Sequence, residues 1–467
     1  MRLVELFEEP APARPAASGT PAPPGRRRTP LLLTALVGAA ALVAGLLAQS
    51  ARDRTRESYL EKVPGVLRTS GAGLRMLWTV DAAETRSVLA GVVVSGTLVR
   101  VRDAGTGMPS AVVGTDPDTG RDLWVSEPPW PSGGARPLIW VECGSSGAVA
   151  ACLAEAGDGY LAWWLDPATG APLQVRELPS QVATALVGGQ VWVLRGYDTQ
   201  GRVRLVRDEP DRLRLSALDP ASGEEAWAWD GPPGFVGAAW SASIVGDATL
   251  IRRGDTGWLV HPGGSVRTVA LKAVFGAFTT GRATELVQRL SAGQGLARLL
   301  TASGAWRVVP GTPLPLAVDD GSGAGLELLR GSAAVEGATL ALDGATGDAR
   351  WRLAGGADQA LVLDGRLIVA QDTVLAAVDV ATGATLWSTP LADRPLTLGT
   401  DGDAVLVGTQ RRVEAFGLAD GRQRWRTDVV ALLGGAGSAW QGERVRMDTG
   451  VPHVVVTRRD GSAAVLG

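Results

Sequence analysis

The chain has 467 residues, 45 of them basic and 48 acidic, for a net charge of −3. That balance excludes a general nucleic-acid binder, which needs a basic excess to displace counterions from phosphates. Apolar residues at 45% and charged residues at 20% exclude a disordered chain and allow a large core.

Residues 1–28 form a tail too short to fold. Leu3 to Glu9 is an acidic-apolar patch, and residues 10–25 are rich in Pro and Ala, a composition that stays extended. The patch is read as solvated tail, with a docking peptide for a cytoplasmic partner as the sharper alternative. Residues 29–51 carry no charge. As a helix they would reach about 35 Å, enough for a hydrocarbon core of about 30 Å. The run is therefore expected to be a single transmembrane helix. Arg26, Arg27 and Arg28 precede it and favour a cytoplasmic N-terminus. Ala48-Gln49-Ser50 also fits a small-x-small cleavage site. The long stretch before the helix favours an uncleaved anchor that holds the large domain at the cell membrane; cleavage would release it, and both readings place it outside the cytoplasm. Residues 52–66 read as a juxtamembrane linker, helical from Arg52 to Lys62.

From residue 67 to 467 the sequence repeats. One copy runs Ala377-Val378-Asp379-Val380-Ala381-Thr382-Gly383-Ala384-Thr385-Leu386-Trp387. Asp116, Gly120 and Trp124 mark another; Asp219, Gly223 and Trp227 a third; Asp343, Gly347 and Trp351 a fourth. Asp166 to Gly170 keeps the turn but has Gln174 where Trp is expected, and the copy at Gly421 and Trp425 has Gly417 at the Asp position. Each alternating apolar run before the Asp predicts a strand. The Asp caps turn amides, the Gly supplies positive φ, and a second strand ends in an indole. The 16 Trp, against 3 Tyr and 5 Phe, belong to this pattern. Two worn copies, His261 to Ser265 and Thr301 to Trp306, divide the gap between Gly223 and Gly347 into steps of about 40 residues, and a further turn stands at Asp460-Gly461. Such a period, with four short strands per unit, predicts propeller blades.

These residues resemble the tryptophan-docking motif, Ala-x-Asp-x-x-Thr-Gly-x-x-x-Trp, of the pyrroloquinoline-quinone-type β-propeller repeat family. The resemblance implies an all-β propeller of eight four-stranded antiparallel blades. It also implies that an N-terminal strand, here Leu74 to Trp78, completes the last blade. Turn glycines from Gly120 to Gly421 give eight, and Gly461 gives nine; since closed propellers typically have about 4–8 blades, eight is the expectation.

The quinone dehydrogenases of that family use adjacent cysteines, a calcium site and a catalytic Asp, and no segment here matches them. No catalytic residue, metal site or cofactor is therefore expected. Gly321 to Gly325 lacks the Lys and helix of a phosphate loop. Asp319-Asp320-Gly321 and Asp401-Gly402-Asp403 read as hairpin turns before calcium ligands, and His261 and His453 as loop residues. Cys143 and Cys152 are expected to form a disulfide outside the cytoplasm, provided a broad loop from Ser145 to Ala150 joins them. The leading functional expectation is a non-catalytic binding or scaffold module, with a protein partner or small ligand on the propeller face. A quinone-dependent dehydrogenase and an envelope ligand sensor are the alternatives.

Overall fold

The computed structural model describes residues 55–467 apart from 57, 61–62, 70, 104–108, 130–137, 158, 199, 201–202, 205–209, 235–239, 272–277, 280, 285, 291–295, 332–336, 434–443 and 448–449. The chain divides into two compact units, Met1–Tyr59 and Leu60–Gly467. All described strands belong to the second.

Alternation decides the local structure. In Val374–Asp379, Leu375, Ala377 and Val378 are fully buried while Val374 is exposed. This strand pairs antiparallel with Thr385–Pro390 across the Asp379 turn. The same hairpin recurs, and two further strands extend each copy inwards to a four-stranded sheet. The described residues make nine such sheets, two of which gain a fifth strand, Val203–Arg204 in one and Leu316–Asp319 in the other. In chain order they cover residues 92–126, 138–179, 182–230, 240–270, 278–310, 312–353, 359–390, 397–428 and 444–466, and they are called blades 1 to 9. Blade 9 takes three strands from residues 444–466. Its outermost strand is Met76–Val80, paired antiparallel with Ala463–Leu466 so that Thr79 faces Ala464 and Val80 faces Ala463. The strand expected at Leu74 to Trp78 thus forms two residues later.

The core is a ring of seams. There are nine buried apolar clusters, each built from two neighbouring blades. Leu361 and Ile368 of blade 7 meet Leu398, Val405 and Val407 of blade 8. Val455 and Val465 of blade 9 meet Leu98 of blade 1 and Val88 of a short helix, Ala82–Leu89. That last seam closes the circle. Each buried Leu or Val stabilises its seam by roughly 1.5–3 kcal/mol.

Two expectations are corrected. The ring has nine blades, not eight. Both worn copies form complete sheets, and the C-terminal strands gain a fourth from the N-terminal side instead of remaining a remnant. Gly461 is not the ninth docking turn, because it joins the middle strands of blade 9 and lies beside Ala82. Secondly, no helix among the described residues is long and apolar enough to cross a membrane, so the N-terminal transmembrane helix is not supported. Residues 29–51, where it was expected, lie outside the described residues, as does the tail over 1–28.

Candidate functional site

The docking turns show why the motif has its composition. The Asp379 carboxylate accepts from the N–H of Ala381 at 3.1 Å and of Thr382 at 2.8 Å, and from the Thr382 hydroxyl at 2.8 Å. The Gly383 N–H closes the turn on the Asp379 carbonyl at 2.8 Å. Gly383 has φ +76°, and a Cβ there would stand 2.7 Å from the Trp351 ring of the preceding blade. Glycine is therefore required twice, by the backbone and by the indole. The Trp351 indole N–H donates to the Val380 carbonyl at 2.9 Å. Trp78 reaches Pro117, Trp124 reaches Pro167 and Trp387 reaches Leu418 in the same way, at 2.9, 2.9 and 3.1 Å. The Ala of the motif has its own reason. Ala377, Ala341, Ala217 and Ala415 lie directly across their hairpins from Trp387, Trp351, Trp227 and Trp425, and Gly114 lies across from Trp124. Only a small residue leaves room for the ring.

The carboxylates of Asp116, Asp219, Asp343 and Asp379 sit below the ordinary Asp range. Arg350 is the main cause at Asp343, Thr382 at Asp379, and Ser222 at Asp219. At Asp116 burial pushes upward, and the N–H groups of Asp118 and Thr119 outweigh it. Folded values below unfolded ones stabilise the ring at neutral pH, and that contribution fades as pH falls through the lowered values.

The departures from the motif are compensated residue by residue. In blade 2 the indole changes strand: Trp164 faces Gln174 across the hairpin and is fully buried against Leu218 of blade 3. In blade 4 the Arg267 guanidinium donates to the carbonyls of Thr301 and Ala302, doing an indole's work. In blade 5 Arg307 packs on Gly347, while Trp306 turns back and donates to Ala270 at 2.7 Å. In blade 8 Gly417 lacks a carboxylate, and Asp420 fills the space and accepts from Arg422 at 3.1 Å. Trp425 packs on the blade 9 core, and Thr427 accepts from the Leu74 N–H at 3.1 Å.

The two faces of the ring differ. One carries the turns between first and second strands and all the docking turns. Over blades 5 to 8 these turns are tied together. The link between the first two strands of blade 6 sends Leu316–Asp319 alongside Gln359–Leu363 of blade 7, in parallel pairing. Arg282 of blade 5, only 9% exposed, grips this link through Asp319 at 2.8 and 3.0 Å, Gly323 at 2.9 Å and the Ser322 carbonyl. Glu327, 1% exposed, accepts from the Ala283 N–H at 2.9 Å and the Thr284 hydroxyl at 3.1 Å. Burial pushes its carboxyl above the usual range. Val66 and Thr69 continue the girdle: Val66 bridges Thr400, and Thr69 donates to Asp401 at 2.6 Å. This is the turn face. The opposite, loop face holds the strand ends joined by the long connections after Ser126, Tyr197, Asp230 and Asp428.

Asp319, Asp320, Asp401 and Asp403 are absorbed in these turns. Among the described residues no group of three or more His, Cys, Asp and Glu is placed to hold a metal ion. His261 opens the blade 4 turn, its N–H donating to the Ser265 carbonyl at 2.9 Å. Cys143 and Cys152 lie directly opposite each other on adjacent strands, joined by a disulfide with Cα atoms 4.1 Å apart. The hairpin turns tightly between Ser146 and Val149, not through the broad loop expected from Ser145 to Ala150, and the unbroken register from that turn, Ser145 with Ala150 and Gly144 with Ala151, sets the cysteines opposite each other. Reducing this disulfide is expected to lower stability by about 2–3 kcal/mol. A denaturant midpoint unmoved by reductant would contradict that.

Residues 294–465 match the family model described as outer membrane protein assembly factor BamB. No curated protein matches the chain. Among solved structures, BamB from Moraxella catarrhalis is 15% identical, covering 84% of this chain and 99% of that one at a TM-score of 0.38. The quinohemoprotein alcohol dehydrogenase from Comamonas testosteroni is 14% identical, covering 85% and 76% at a TM-score of 0.36. The match spans blades 5 to 9, and over those blades the recurring docking turns are those of a pyrroloquinoline-quinone-type, tryptophan-docking β-propeller repeat.

Proposed function

We propose that the chain is a non-catalytic binding or scaffold module that works outside the cytoplasm and takes a protein partner on its loop face. One observation carries this reading: the two faces are built for different tasks. Over blades 5 to 8 the turn face is taken up by its own hydrogen bonds, from Arg282 through Asp319 to Thr69 and Asp401. The long connections after Ser126, Tyr197, Asp230 and Asp428 start and end at the other face, and binding residues sit by preference on loops held by a rigid scaffold. The disulfide supports an oxidising compartment. The match to an outer membrane protein assembly factor supports a role through protein contacts.

The test is site-specific photocrosslinking in intact cells. A crosslinker at Asp230 or Asp428, on the loop face, is expected to capture a discrete protein partner; one at Gly365 or Asp372, on separate faces of blade 7, separates face-specific capture from labelling at large. Capture equal at all four positions would contradict the proposal. So would quinone-dependent dye reduction by the purified chain.

A further inference from the structure

The seam that closes the ring is held by one side chain that the docking motif does not account for. His453 precedes Val454–Thr457 of blade 9 and is 3% exposed. Its Nε2 lies 2.8 Å from the Asp118 carboxylate, in the docking turn of blade 1. Its Nδ1 lies 3.1 Å from the Arg68 carbonyl, on the segment that leads into the closing strand. One ring therefore joins the three pieces of chain that must meet for closure: the N-terminal segment, the first blade and the last.

Both partners are oxygens without a proton to give. A neutral imidazole has one N–H and serves only one of them, whereas the imidazolium serves both. The charged groups around the ring are few. From blade 1 comes Asp118 itself. From the N-terminal segment come Arg68, whose guanidinium is 3.9 Å from the far oxygen of Asp118, and Arg75, whose backbone exchanges bonds with Gly467 at 3.0 and 3.1 Å. Gly467 lies beside the ring, and a Cβ there would be 3.0 Å from Nδ1. Asp401 is engaged by Thr69, one residue beyond Arg68.

We infer that His453 is a proton-operated latch on ring closure: charged, it clasps Arg68 and Asp118 together, and on losing a proton it releases one of them and loosens the Met76–Val80 strand. The sign follows from the donors. The clasp is complete when both ring nitrogens carry protons and half made when only one does.

Amide exchange in the full chain tests this, comparing pH 5.5 with pH 8 after correction for the intrinsic exchange rate. The amides of Arg75, Thr79 and Gly467 are expected to lose about tenfold in protection at the higher pH, the equivalent of one charge-assisted hydrogen bond. Amides of Arg366–Gln371 in blade 7 serve as the control and should hold. His453→Gln and Asp118→Asn should each abolish the difference. Should either variant fail to fold, the ring nitrogens of wild-type His453 give the same answer by NMR, since their titration must track the loss of protection. Protection that is constant across the two pH values, or that falls equally in His453→Gln, would overturn the latch.

Discussion

Trp351→Ala is expected to destabilise the chain by about 3–5 kcal/mol. Trp351 is 9% exposed and lies in the seam between blades 6 and 7, against Leu328, Val369, Val378 and Val380. Its truncation leaves a cavity beneath Gly383, and the rigid turn there cannot collapse into it. It also strands the Val380 carbonyl, which accepts the indole N–H at 2.9 Å. Trp351→Phe should recover most of the packing and lose only the bond, at about 1 kcal/mol. Trp306→Ala is the internal comparison. That ring points back to Ala270 and docks on no forward turn, so its loss should cost about half as much or less. Denaturant unfolding of the three variants checks the order. A Trp306 loss equal to that of Trp351 would show that docking on the glycine turn adds nothing special.

Arg282→Ala is the second large effect, also about 3–5 kcal/mol, because it leaves a partly buried carboxylate and several carbonyls without their donor. The guanidinium links Asp319, Ser322 and Gly323 to blade 5. The expected consequence is local as well as global. The strand Leu316–Asp319 should lose its parallel pairing with blade 7 and become open to protease, while blades 1 to 4 remain protected. Arg282→Lys should not rescue the variant, since an ammonium cannot reproduce the forked contact with Asp319. Limited proteolysis followed by mass spectrometry reads the result. Cleavage spread evenly around the ring would contradict a girdle held at this point.

Much of the architecture was legible in the sequence because the docking motif states its own physics. Asp379, Thr382, Gly383 and Trp387 each do what their chemistry implies, and the spacing between copies set the blade period. The blade count was not legible. It depended on whether residues 444–466 could find a fourth strand, and that strand lies almost the whole chain away at Met76–Val80. Short sequence patterns carry no information about such pairing. The exchanged indole of blade 2 was legible in principle, since Trp164 and Gln174 are cross-strand partners and the motif has a small residue facing the Trp. The Arg267 and Arg307 substitutes were not, because an arginine on an exposed strand reads as surface charge. The girdle was hidden for the same reason. Asp319 and Asp401 look like ordinary hairpin residues, and only the fold brings Arg282 and Thr69 to them. His453 read as a loop histidine, and its burial comes from the closing seam.

The loop face shows where sequence reasoning stops. The long connections can be counted from the strand ends, yet what they recognise depends on side chains displayed together in space. Their position opposite the docking turns is a consequence of topology: four antiparallel strands place the tight docking hairpin on one face and the step to the next blade on the other.

Nine blades form a ring that Met76–Val80 closes by pairing with Ala463–Leu466. A density map of the protein that separates individual strands, viewed down the ring axis, tests it most directly. Nine four-stranded sheets, with Met76–Val80 outermost beside Ala463–Leu466, is the predicted result. Eight sheets, or residues 76–80 lying apart from residues 463–466, would contradict it.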